Sequence, residues 1–173
     1  MKRMLLLFAA FVLIVASCAR AEEIVVDMHL VDANGVGKSI GTITVSTSPY
    51  GAILTPSLSD LPPGVHGFHV HQNPSCDPGE KEGKKVAALG AGPHLDPASA
   101  KKHQGPYAEG HLGDLPALIV GPDGKAVVPL LAPRLKPADL KGHALMIHAG
   151  GDTYADQPEL GGGGARMACG IAK

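Results

Sequence analysis

Three observations predict an all-β domain. Apolar residues alternate with polar ones over short runs, glycine- and proline-rich turn signals separate those runs, and no stretch of the 173 residues has a persuasive amphipathic helical period. Beyond residue 21 the chain has one phenylalanine, Phe68, three tyrosines and no tryptophan, so its core must be built from Val, Ile, Leu, Met and Ala. Small side chains suit a narrow barrel or sandwich, in which closure or long loops cover the strand edges.

The first element lies outside that domain. Lys2 and Arg3 lead into the apolar run Leu5 to Ala16, then small residues and Ala19-Arg20-Ala21. A positive start, an apolar middle and a small-residue cleavage site are the three parts of a secretory signal. The run is too short to span a bilayer, which takes about 20 apolar residues. Cleavage after Ala21 is the expected processing and leaves one domain, residues 22–173, of a size that supports a single core. Val15-Ala16-Ser17-Cys18 offers a second ending, similar to the lipobox of bacterial lipoproteins, with Cys18 lipidated and the domain tethered.

Strand candidates follow in order. Ile24, Val26, Met28 and Leu30 alternate with mostly polar neighbours, Asp32-Ala33-Asn34-Gly35 marks a turn, and Ile43 and Val45 alternate again. Gly51 to Leu54, Val65 to Gln72, Leu115 to Gly121, Ala126 to Leu131, His143 to His148 and Arg166 to Ile171 complete eight. Leu61-Pro62-Pro63-Gly64, Gly121-Pro122-Asp123-Gly124 and the Gly161 to Gly164 run are turn signals. Two connections, Asn73 to Asp114 and Ala149 to Ala165, are too long for hairpins and show no periodicity of their own. Long irregular loops in a compact domain are usually functional.

The formal charge of −1 becomes −4 once Lys2, Arg3 and Arg20 leave with the signal, so no broad basic surface suggests nucleic acid. Export also decides the cysteines. Cys18 is removed or lipidated, and in an oxidising compartment Cys76 and Cys169 are expected to pair.

His69-Val70-His71 is the most informative stretch, because residues two apart on a strand share a face and both imidazoles project together. His94, His103, His111, Asp114 and His148 follow, more ligands than one metal needs. Any single histidine is more often a surface or satisfied core residue; the cluster reverses that expectation. Ligand type divides the set. His103, His111 and Asp114 lie in one loop and, with a fourth ligand, would give the tetrahedral arrangement preferred by zinc. His69, His71 and His148 lie on strands and could give an all-nitrogen site suited to copper(II).

Gly67-Phe68-His69-Val70-His71, Gly92-Pro93-His94-Leu95-Asp96-Pro97, His111-Leu112-Gly113-Asp114 and Met146-Ile147-His148 closely resemble the copper-zinc superoxide dismutase family. The resemblance runs from about Glu23 to Lys173 and is nearest to the exported bacterial branch. It implies an eight-stranded antiparallel Greek-key β-barrel with two long functional loops, one copper and one zinc ion per subunit, and a periplasmic location, or a membrane anchor facing the periplasm or cell exterior if Cys18 is lipidated. The implied reaction disproportionates superoxide into oxygen and hydrogen peroxide. By motif position, His69, His71, His94 and His148 would bind copper. His94 would bridge to zinc and carry the proton, and His103, His111 and Asp114 would complete the zinc site. Every ligand position is filled, which speaks against metal-poor relatives of the family.

The resemblance assigns further roles. Asp152 matches the carboxylate joining a copper histidine to a zinc histidine; otherwise it is a loop aspartate capping a turn. Arg166 matches the arginine beside the copper channel, with a surface ion pair as the bland reading. His66 matches a position that packs near copper without ligating it, whereas His29 and His143 match no ligand. Lys81, Lys84 and Lys85 are steering candidates for the small anion, and a solvated charge run explains each as well. The Gly161 to Gly164 run lacks the Lys-Ser/Thr of a phosphate loop and reads as a flexible turn. For assembly the branch includes monomers and homodimers. A copper store would use soft sulfur ligands, absent around this constellation, and a zinc hydrolase needs an open metal position, whereas Asp114 is committed.

Overall fold

The structure, a computed structural model, describes residues 23–173. The expected cleavage after Ala21 and the lipid site at Cys18 fall outside the described residues. Eleven strands run in chain order: β1 (Glu23–Asp32), β2 (Gly35–Ser48), β3 (Gly51–Leu58), β4 (Gly64–His66), β5 (Phe68–His71), β6 (Gly79–Lys81), β7 (Lys84–Val86), β8 (Leu118–Val120), β9 (Leu130–Ala132), β10 (His143–His148) and β11 (Arg166–Ala172). Seven form one sheet in the order β5-β10-β11-β1-β2-β3-β9, and β4 pairs with β8. All these pairs are antiparallel.

The expected strand Val65 to Gln72 is present as two pieces, because Gly67 leaves the ladder. Its N–H donates to Gly150 O at 2.8 Å and its carbonyl accepts from His148 N–H at 2.8 Å. Counting β4 and β5 as one bent strand gives eight strands in a curled Greek-key sheet, as expected. Two strands are shorter than their sequence patterns. Pro129 has no N–H for the ladder, so only Leu130–Ala132 pairs with β3, and Ala126 is left with an isolated bridge to Leu58. Pro116 likewise delays β8.

Alternation places the core. Ile24, Val26 and Met28 turn inward from β1 to join Ile43, Val45, Leu54, Phe68, Val70, Leu118, Leu145 and Ile147, while Val25 points out. Each such Val, Ile or Leu burial is worth about 1.5–3 kcal/mol before chain entropy is counted.

The connection 73–114 is not structureless. It carries the β6–β7 hairpin, turned at Gly83 with φ 71°, and a 3-10 turn at Leu89–Ala91. The Cys76–Cys169 disulfide ties it to β11. Beneath it Val31, Ala88, Ala91, Ala144 and Met146 form a second buried cluster around the two cysteines, so the loop covers an outer face of the sheet. The late loop 149–165 folds back on itself through Ala149 N–H to Ala165 O and Thr153 N–H to Gly161 O.

Candidate metal centre

β5 is buried throughout: Phe68 and Val70 enter the core, and the alternation turns His69 and His71 to the other face. On one edge β5 pairs with β10, opposing His69 to Met146 and His71 to Ala144. On the other edge single bridges join His69 to Asp114 and His71 to His94, so the long loop delivers its ligands beside the strand. That approach depends on Gly113, where a Cβ would lie 2.2 Å from Val70 O.

His69, His71, His94 and His148 are all buried, with one nitrogen from each lying within 4.8 Å of the others. Hydrogen bonds set their tautomers. His71 Nδ1–H donates to Gly92 O at 2.8 Å and His148 Nδ1–H to Gly164 O at 3.2 Å, which frees both Nε2 lone pairs, 3.4 Å apart. His69 Nε2–H donates to Asp152 Oδ2 at 2.7 Å, so Nδ1 is the free atom. His69 Nδ1 and His94 Nε2 are buried without any hydrogen-bond partner. Two orphaned nitrogens facing two free lone pairs are costly in a dry site and fit a cation with four nitrogen ligands.

Asp114 Oδ1 centres a second group. His94 Nδ1 and His103 Nδ1 each lie 3.0 Å from it, and His111 Nδ1 lies 3.3 Å away. His103 Nε2–H already donates to Asp152 Oδ1 at 2.8 Å, which leaves Nδ1 as the atom it turns toward Asp114. Three ring nitrogens converging on one carboxylate oxygen need either protons or a cation among them, and three nitrogens with one oxygen suit zinc. His69 is also near this group, but its one free nitrogen belongs to the first set. His94 alone presents a nitrogen to each group.

In the all-nitrogen group the electrostatics agree with neutral ligands, whereas His103 holds a proton between its two carboxylates until a cation replaces it. Burial lowers His69 to about 3 and His148 to about 4, and it also lowers His71 and His94. Burial acts the same way on His103, but hydrogen bonds to Asp114 and Asp152 outweigh it and lift it to about 9. Burial raises both carboxyls, and the histidine bonds overcome it, holding Asp114 and Asp152 far below the usual carboxylate range.

The remaining candidates take distinct places. Asp152 joins the groups and also accepts from Tyr154 N–H at 2.8 Å. Arg166 donates to Ala88 O and, at 2.6 Å, to Gly92 O, the same carbonyl that orients His71. A cleft of about 250 Å³ reaches His71 and His148 between Lys81, Glu159 and Arg166. Lys84 and Lys85 lie on β7 and do not line it. His66 bridges His148 O and Pro62 O, both at 2.9 Å. His29 and His143 lie outside both groups.

Sequence reasoning missed the packing of the late loop. Gly161 and Gly163 are buried rather than a flexible turn, and a Cβ on Gly161, at φ +73°, would meet Asp152 Oδ1 at 2.1 Å. Asp156 accepts from His103 N–H at 2.7 Å, and Tyr154 Oη accepts from Ala117 N–H at 2.8 Å. Residues of irregular loops carry no periodic signal that could have marked them.

The family model for copper/zinc superoxide dismutase (SODC) matches residues 39–172. Copper-zinc superoxide dismutase 1 of Salmonella typhimurium is 57% identical over 174 residues, covering 99% of this chain and 98% of the relative. The solved Cu/Zn superoxide dismutase from Brucella abortus superposes with a TM-score of 0.86 at 50% identity, covering 88% of this chain and all of that one. The solution structure of the monomeric copper, zinc superoxide dismutase from Salmonella enterica gives 0.78 at 54% identity, covering 89% and 100%. Two adjoining donor sets, one of four buried histidines and one of three histidine nitrogens around a buried carboxylate, match what those proteins are named for, and the chain belongs to the copper/zinc superoxide dismutase family of oxidoreductases.

Proposed function

We propose that His69 Nδ1 with the Nε2 atoms of His71, His94 and His148 holds copper, and that Nδ1 of His94, His103 and His111 with Asp114 Oδ1 holds zinc. The orphaned pair His69 Nδ1 and His94 Nε2 carries this reading. Bound copper supplies a one-electron Cu(II)/Cu(I) couple, through which two superoxide anions and two protons give one oxygen and one hydrogen peroxide. The chain's own residues do the rest. His94 Nε2 is buried without a hydrogen-bond partner and would be the atom that holds and delivers a proton, while Nδ1 and Asp114 keep the ring in place. Arg166 and Lys81 make the cleft positive for a small anion, and the surrounding burial excludes bulk water.

Metal analysis with a superoxide assay tests this assignment. One copper and one zinc per chain and cyanide-sensitive dismutase activity are expected, and His94→Ala should lose activity and weaken zinc retention together. Retention of both metals and full activity by His94→Ala would refute the bridging role.

For location we infer export to the periplasm with Glu22 as the mature N-terminus, supported by the three-part leader. An intact mass including a lipid on Cys18 would instead place it on a membrane. For assembly we take the single-chain form described for the Salmonella enterica relative. Sedimentation giving a two-chain mass would replace it with the homodimer.

A further inference from the structure

The zinc-side ligands are not equally held. The side chains of His94, His103 and Asp114 are fully covered, whereas that of His111 is 13% exposed. The tip of its turn, Tyr107 to Glu109, is exposed and joins no core cluster, although His111 N–H donates to Lys102 O at 2.9 Å and Leu112 packs on the core. Three carbonyls of this turn face one side chain. Arg134 Nη1 donates to Ala108 O and, at 3.3 Å, to His111 O, while Nη2 donates to Gly110 O at 2.8 Å.

Arg134 is fixed from the opposite direction. It follows β9, and the next residue, Leu135, is buried in the core and accepts Ala52 N–H of β3 at 2.8 Å. Among the described residues Arg134 makes no ion pair, so its donors serve the turn. A guanidinium is planar, permanently charged and rigidly forked, which suits several carbonyls at once; an ammonium carries its three donors on one atom and cannot span the same fork.

We infer that Arg134 is a positioning residue for the zinc-side site: it ties the His111 turn to the barrel and so sets where the imidazole sits. The inference rests on His111 being a zinc ligand. It leaves three of the four copper-side ligands alone, because His69, His71 and His148 are placed by β5 and β10, and only the shared His94 connects the two sides.

Zinc release from the metal-loaded holoprotein to a chromogenic chelator tests it in wild type, Arg134→Ala, Arg134→Lys, His111→Ala and the Arg134→Ala/His111→Ala double variant. Arg134→Ala should accelerate release about 10- to 100-fold, as for other partners that orient a metal ligand. Arg134→Lys should fall between it and wild type, and carries the test if the alanine variant does not fold. Copper release should accelerate far less than zinc release, less than about twofold while zinc is still bound. Cobalt(II) placed in the zinc site should show altered d–d bands in Arg134→Ala, a signature that mere loosening elsewhere would not produce. In the His111→Ala background, Arg134→Ala should add less than about twofold, because the two act as one unit. Wild-type release rates in both Arg134 variants, parallel loss of copper, or an equal acceleration with and without His111 would each overturn the inference. If His111→Ala itself releases zinc at the wild-type rate, the ligand assignment fails first, and the inference with it.

Discussion

Asp152 touches both histidine groups, with one carboxylate oxygen on His69 Nε2 and the other on His103 Nε2, and its side chain is fully buried. An asparagine offers one acceptor and turns an N–H₂ toward the second N–H donor, leaving a buried clash. Asp152→Asn should therefore weaken zinc binding about 10- to 100-fold, and unchanged zinc after dialysis against chelator would exclude the linking role. Arg166 is placed differently: it lines the cleft and shares Gly92 O with His71. Arg166→Ala should lower turnover about tenfold or more through loss of local positive potential while copper stays bound, and full activity would remove the assignment. Motif position had singled out both residues. The carbonyls of Gly92 and Gly164, which choose the tautomers of His71 and His148, were not legible, because main-chain acceptors leave no trace in side-chain identity.

The elements divide the work between strand and loop. β5 gives His69 and His71 a common direction through its twofold alternation, which the sequence showed directly. The long connection is where reading by periodicity failed: each arm of the β6–β7 hairpin has only three residues, too few to display alternation. That hairpin brings Lys81 to the cleft and leaves Lys84 and Lys85 away from its lining. Lys81→Ala should therefore lower kcat/KM at low salt and flatten its ionic-strength dependence, with smaller effects from Lys84→Ala and Lys85→Ala. Equal effects from all three would mean that net charge alone attracts the anion.

At the scale of the molecule, the disulfide spans 93 residues of sequence and pins the metal-bearing loop to β11. Chain-entropy reasoning puts its contribution near 4–5 kcal/mol, so Cys76→Ser/Cys169→Ser should lose stability of that order in denaturant titration, and a loss under about 1 kcal/mol would assign the tether to packing alone. Metal-free stability should also depend on pH. Imidazoles near 6.5 in the unfolded chain are lowered on folding to about 3 at His69 and about 4 at His148, with His71 and His94 lowered as well. Below about pH 6.5 the unfolded chain binds more protons, so stability falls as pH falls toward 4. His103 works in reverse: its stabilisation is complete below the unfolded value and is lost as pH rises toward 9. The melting temperature of chelator-treated protein should peak near about pH 6.5, more steeply on the acid side. A melting temperature that rises on acidification would contradict four imidazoles held neutral.

Alternation, turn residues and ligand spacing are local properties, and they were enough to determine an all-β chain and the paired imidazoles of His69 and His71, while the expected oxidising compartment led to the Cys76–Cys169 pair that the structure joins. Motif position supplied the division into two donor sets. Motif position also marked His94 as the link, but only the tertiary structure decided how the sets are held: that Gly113 and Gly161 are small because backbone and carboxylate need their space, and that Arg134 reaches across to the His111 turn. These are contacts between segments far apart in the chain, made by main-chain carbonyls and by the absence of a Cβ. Their chemistry exists only when the fold brings the segments together.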